Sequence, residues 1–168
     1  QDLEFTWRGN LRLAIQGGNG SGKSSLLQAL RGAPPTTRGE LRLGGLRTVH
    51  LDQHQSALRD ELTVLQNIAA CCPGSEGELR QWLAQFLFRG DAVRQKVGTL
   101  SGGERLRAAL AQAFLQVGSP ELMLLDEPTN NLDAANVEFL EQIVREFRGA
   151  VLVVSQDPRF LEGCGVEE

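Results

Sequence analysis

The sequence predicts an α/β fold with a mostly parallel sheet, interrupted by a helical segment. Three observations predict it. Two continuous apolar runs, LMLL at 122–125 and VLVV at 151–154, have the character of strands buried on both faces. The stretch between them carries Val137, Leu140, Ile143, Val144 and Phe147 along one helical side, which makes a strand–helix–strand unit and hence a right-handed crossover. Residues 56–117 contain no convincing strand. The order is therefore α/β core, helical insertion, α/β core.

The elements follow in chain order. LEFTW (3–7) and LRLAIQ (11–16) read as an N-terminal antiparallel β part around a Gly9–Asn10 turn, with Arg12 alternating outward. The pattern from Lys23 to Arg31 is helical and stops at Gly32 and Pro34–Pro35. ELRLGG and LRTVHLDQ (40–53) read as a hairpin turning at Gly44–Gly45. Then come three helices: TVLQNIAA from an N-capping Thr63, EGELRQWLAQFLF with Leu79, Leu83, Phe86 and Leu87 on one face, and a helix from Ser101 striped by Leu106, Leu110, Ala113, Phe114 and Val117.

Composition narrows the function classes. The 168 residues suit one domain, with 41% apolar and 23% charged side chains. A net charge of −4 argues against a strongly basic nucleic-acid surface. No run approaches the roughly eighteen apolar residues of a bilayer span, and no signal-peptide pattern opens the chain, so a soluble cytoplasmic protein without membrane insertion is expected. Cys71 and Cys72 are adjacent and Cys164 stands apart, which suits reduced thiols. His50 and His54 have no partner at metal-ligand spacing.

GGNGSGKS (17–24) fits G-x-x-x-x-G-K-[ST] and sits between a predicted strand and a predicted helix, the context the motif requires. Glycines at 17, 18, 20 and 22 let the backbone amides of this loop, with Asn19 and Ser21, close on phosphate oxygens. The helix start adds its positive end. Lys23 is placed to reach the β- and γ-phosphates, and the hydroxyl of Ser24, with Ser25 beside it, to ligate Mg²⁺. This is a nucleoside-triphosphate loop. LMLLDEP then places Asp126 and Glu127 where a buried strand emerges, at the sheet edge where open parallel sheets bind ligands. Asp126 is suited to the Mg²⁺ shell and Glu127 to orienting or deprotonating a water.

LSGGERLRAALAQAFL (100–115) adds a second anion site. Ser101, Gly102 and Gly103, followed by Glu104, open a helix with bare backbone. Leu100–Glu104 resembles the signature motif of ATP-binding-cassette (ABC) ATPases, which are P-loop NTPases. The resemblance covers nearly the whole chain, because other motifs match in order. Gln53 in VHLDQ falls at the Q-loop glutamine, which touches Mg²⁺ or water. DEPTNNLD resembles Walker B running into the D-loop, with Asp133 as its closing aspartate. DEPTNNLD, the approach to the signature and VVSQDPRFLE are most similar to the ABC-F subfamily of soluble tandem-cassette ATPases, many of which act on ribosomes. Ser101 follows Gln53 by 48 positions, leaving no room for a long inserted arm.

The resemblance implies the ABC ATPase fold, with 1–55 and 117–168 as nucleotide-binding core and 56–116 as helical signature subdomain. It implies ATP and Mg²⁺ at the loop, and a second cassette, in tandem or as a homodimer, whose signature completes the site in trans. The chain is expected to be a piece of a longer protein. It departs from the family at Gln156, where the family has a histidine that contacts the γ-phosphate. The amide of Gln156 can donate a hydrogen bond but cannot carry charge or relay a proton, so slow hydrolysis is one reading. Another is the ATP-binding subunit of a membrane transporter, which a neighbouring membrane subunit in the full-length gene would favour. Gly18 replaces a common proline. Trp7 reads as a core residue, which leaves adenine selectivity to the resemblance alone.

Overall fold

Among the described residues four strands, all parallel, are joined in the order β1 (Arg12–Ile15), β4 (Ala150–Val154), β3 (Leu122–Asp126), β2 (Thr48–Leu51). The computed structural model describes residues 9–18, 20–31, 44–51, 57–130 and 132–166. The predicted strand at 3–7 with Trp7, the first arm of the 40–53 hairpin, Asn19, Gln53 and His54 lie outside those residues. Of the predicted antiparallel β part, the 11–16 strand is described: it is β1, which runs parallel to β4.

The two apolar runs occupy the middle of this sheet. Alternation sorts their side chains by face. Leu122, Leu124, Ala150, Leu152 and Val154 pack on one side against Leu27 and Leu30 of α1 (Lys23–Leu30). Met123, Leu125, Val151 and Val153 join the larger core on the other side. That core takes in α2 (Val64–Cys71), α3 (Glu76–Gln85), α4 (Gly102–Val117), α5 (Ala134–Glu146) and α6 (Pro158–Cys164). Between β2 and β3 the chain forms only helices, 3₁₀ turns at 90–94 and 97–99, and one isolated bridge from Thr63 to Lys96 among the described residues.

The helix starts follow local chemistry. Thr63, Ser75 and Ser101 each cap their helix in a reciprocal box with Gln66, Glu78 and Glu104. An aromatic ladder runs Trp82–Phe86–Phe114–Phe147, with centroid spacings of 5.5, 6.3 and 6.0 Å. It carries contact from α3 through α4 to the end of α5.

Two expectations are corrected. Arg12 is half-buried rather than simply outward. Its guanidinium donates to the carbonyls of Arg145 (2.7 Å) and Phe147 (3.3 Å) at the end of α5, and to Cys164 (3.3 Å) at the end of α6. A cation there complements two helix C-termini. Leu87 does not share the buried face of α3. The helix ends at Gln85, and Leu87 turns into the left-handed region with φ 66° and 55% exposure. The amide of Leu87 donates to Ala84 and that of Phe88 to Leu83, the Schellman pattern that glycine normally ends. Phe88 takes the buried place. Leu87→Gly is therefore expected to raise stability by about 1 kcal/mol, read as a higher denaturant midpoint at unchanged m-value. A lower midpoint would mean that the exposed side chain contributes more than its backbone costs.

Candidate functional site

Strand register builds the site. Ile15 pairs with Val154 and Val154 with Asp126, so three strands end level at one edge. The chain leaves that edge as the glycine loop, as Glu127 and as the Ser155–Asp157 turn.

The loop closes around its lysine. Gly22 caps α1 at φ 94°, a left-handed turn that a side chain would strain. Lys23 Nζ donates to the carbonyls of Gly17 (2.6 Å) and Gly18 (3.0 Å), and the Ser21 amide donates to Gly18 (3.2 Å). Leu27 and Leu30 anchor α1 on the sheet, which fixes where its first turn stands.

Glu127 is re-aimed by its own backbone. Its amide donates to the Val154 carbonyl at 2.8 Å, extending the β3–β4 ladder by one bond. Its φ is 44°, a left-handed conformation that costs a non-glycine residue about 1–2 kcal/mol. The Asn130 amide closes the turn on the Glu127 carbonyl at 3.3 Å. Strain of this kind at a carboxylate on a ligand-binding edge points to a side chain held for use.

The Gln156 turn divides its labour. Buried Ser155 accepts the Asp157 amide on its hydroxyl (3.1 Å), and Asp157 Oδ1 caps α6 by accepting from Arg159 and Phe160. Pro158 follows at the first helical position. Ser155 and Asp157 thus build the turn, and Gln156 is the residue it presents.

These pieces share one open cleft of about 590 Å³. Gly20, Gly22, Lys23, Ser24 and Ser25 line one side, and Asp126, Glu127 and Gln156 line the other. Gly17, Gly18 and Ser21 belong to the same loop and are not among the lining residues. Asn130 and Val154 also line the cleft, and reading the sequence missed both. Asn130 sits three positions after Glu127 within DEPTNNLD, where its polar side chain in a turn was the available signal. The Ser24 hydroxyl and the Asp126 carboxylate are hard oxygen donors of the kind that suits Mg²⁺. No group of three or more His, Cys, Asp or Glu is gathered among the described residues. A hard cation held here would therefore keep coordination places for water and phosphate.

Other predicted residues stand elsewhere. Ser101, Gly102, Gly103 and Glu104 are absent from the cleft lining. Ser101 caps α4, and its amide and hydroxyl both donate to Glu104 Oε2 at 2.8 Å. Those two bonds, the amide's first, hold the Glu104 carboxyl below the usual range. Asp133 caps α5 by accepting the Asn136 amide at 2.9 Å. The three cysteines are free. Burial pushes Cys71 up to about 11 and Cys164 up to about 12, which keeps both as unreactive thiols at neutral pH.

Known families provide the deciding observation. Residues 1–130 match the family described as ABC transporter. The chain belongs to the ABC ATPase family. Among curated ABC relatives, it is 35% identical over 162 residues to "ATP-binding protein Uup" of Escherichia coli (strain K12), covering 93% of this chain and 25% of that protein. It is 39% identical over 153 residues to "Probable ATP-binding protein YheS" of the same strain, covering 89% of this chain and 24% of that protein. Uup of Buchnera aphidicola (subsp. Acyrthosiphon pisum, strain APS) is 35% identical over 157 residues, covering 90% of this chain and 26% of that protein. The chain spans about a quarter of the length of these relatives. Within the ABC ATPases it is most similar to the ABC-F members. No helix among its described residues is long and apolar enough to cross a membrane. The glycine loop, the acidic strand end and the Ser155–Asp157 turn meet in one cleft, while the start of α4 is not part of its lining.

Proposed function

We propose that this chain binds ATP with Mg²⁺ in the cleft and hydrolyses it as an ABC-F type cassette that works against a second cassette. One observation carries the reading: Lys23, Ser24, Asp126, Glu127 and Gln156 share a cleft, and Ser101–Gly103 do not. The site is chemically furnished for a triphosphate but has no signature of its own. A second domain, in tandem or as a homodimer, would supply one. In this reading residues 1–55 and 117–168 are the core and 56–116 the signature subdomain.

The residues divide the work as follows. Lys23 exchanges the Gly17 and Gly18 carbonyls for β- and γ-phosphate oxygens, and the loop amides hold the same groups. Ser24 and Asp126 would hold Mg²⁺, with Gln53 as a further contact. When bound, the metal supplies charge neutralisation on the phosphates. Glu127 orients a water and accepts its proton as the water oxygen bonds to the γ-phosphorus and the bond to the ADP oxygen breaks. The partner's Ser101–Gly103 equivalents stabilise the γ-phosphate from the far side. Gln156 donates an amide hydrogen bond to the same group without relaying a proton.

Closure on ATP and release after hydrolysis make a mechanical switch. In this reading it acts in the cytoplasm on a ribosome or similar assembly, without entering a membrane. Phosphate release measured for this chain and Gln156→His side by side tests the assignment of the turn. The histidine is expected to raise turnover about 10-fold at unchanged ATP affinity. Equal, readily measured rates would mean that the amide suffices and that Gln156 does not slow the site.

A further inference from the structure

One buried residue ties the signature helix to the end of the D-loop, and no motif names it. Asn136 is 7% exposed in the first turn of α5, and both ends of its amide are committed. Nδ2 donates to Asp133 Oδ1 at 2.7 Å, and Oδ1 accepts from Arg107 Nη1 of α4 at 2.6 Å. Its backbone amide also donates to Asp133 Oδ1, at 2.9 Å.

The same side chain packs against Gly103 at the start of α4. A Cβ added at Gly103 would overlap Asn136 Nδ2 and Cγ. Bare backbone at 103 therefore has a local reason: it admits Asn136. Arg107 is half-buried, and its Nε is buried without a hydrogen-bond partner, so Asn136 Oδ1 is an important support for a guanidinium that water does not fully solvate.

We propose that Asn136 is a positioning residue that clasps Gly103, Arg107 and Asp133 into one unit, so that the chain offers its signature start and its D-loop aspartate to a partner cassette in fixed register. This rests on the composite-site reading above. The clasp joins two elements within one chain, yet neither lines that chain's own cleft. Its loss should therefore fall on the nucleotide held by the partner. Misplacing such donors by about an ångström costs on the order of 10²-fold in rate.

Two measurements test it. Amide hydrogen exchange on this chain and Asn136→Ala needs no partner. Faster exchange is expected at 102–107 and around 133, with 64–71 and 76–85 unchanged. Uniform acceleration, or none, would overturn the clasp.

The second measurement mixes two inactive variants. Lys23→Ala keeps a working signature, Ser101→Arg keeps a working phosphate loop, and their mixture should recover phosphate release. Asn136→Ala placed in the Lys23→Ala partner is expected to lower the recovered kcat 10- to 100-fold at similar KM, and to cost far less in the Ser101→Arg partner. Equal losses in both arms would reduce Asn136 to a folding role. A mixture that recovers nothing would refute the composite-site reading itself, while the exchange result stands on its own.

Discussion

Glu127→Gln is expected to lower kcat for ATP hydrolysis about 10²- to 10⁴-fold, the usual worth of a general base, and to leave ATP binding intact. The side chains are nearly isosteric, and the strained turn is held by backbone bonds that the change does not touch. Glu127 N–H still reaches the Val154 carbonyl, and Asn130 N–H still reaches the Glu127 carbonyl. Only the capacity to take a proton is removed. Rapid-quench turnover beside equilibrium nucleotide binding separates the two effects. Unchanged turnover would take the base role away from this carboxylate.

Lys23→Ala is expected to act on binding instead, weakening ATP by about 100-fold, or roughly 3 kcal/mol for the charge-assisted bonds lost. The ammonium holds two loop carbonyls, so the variant also loosens the loop. The fold should survive, because α1 is anchored further along by Leu27 and Leu30. Titration of a fluorescent ATP analogue gives the affinity, and circular dichroism gives the fold. Normal affinity in a folded variant would overturn the phosphate-loop assignment.

Much of this site was legible in the sequence, because its parts are short segments with strong local rules. A glycine loop between strand and helix, an acidic strand end and the N-capping Thr63 each declare themselves within a few residues. The buried strands were legible for a related reason: parallel strands covered on both faces are continuously apolar. What escaped depends on long-range packing. Leu87 continues the helical pattern in composition, and no glycine or proline marks the turn where its backbone becomes left-handed. Arg12 reads as a surface residue until two helix ends, more than 130 positions away, converge on it. Asn136 is invisible to a search for apolar stripes, since its burial follows from the hydrogen bonds it makes to α4 and Asp133.

Glu127 shows the boundary between the two kinds of information. Its identity and place at a strand end were readable. The φ of 44° was not, because it goes with a bond to Val154, 27 positions further along the chain on a neighbouring strand. The sequence names the carboxylate, and the neighbouring strand aims it.

The central claim is that the cleft is half of a composite ATPase site. Phosphate release per molecule, followed over a wide range of concentrations of this chain at saturating Mg-ATP, tests it most directly. The account expects a rate per molecule that rises with concentration toward a plateau and disappears in Glu127→Gln. A constant rate per molecule at every concentration, unaffected by Glu127→Gln, would contradict it.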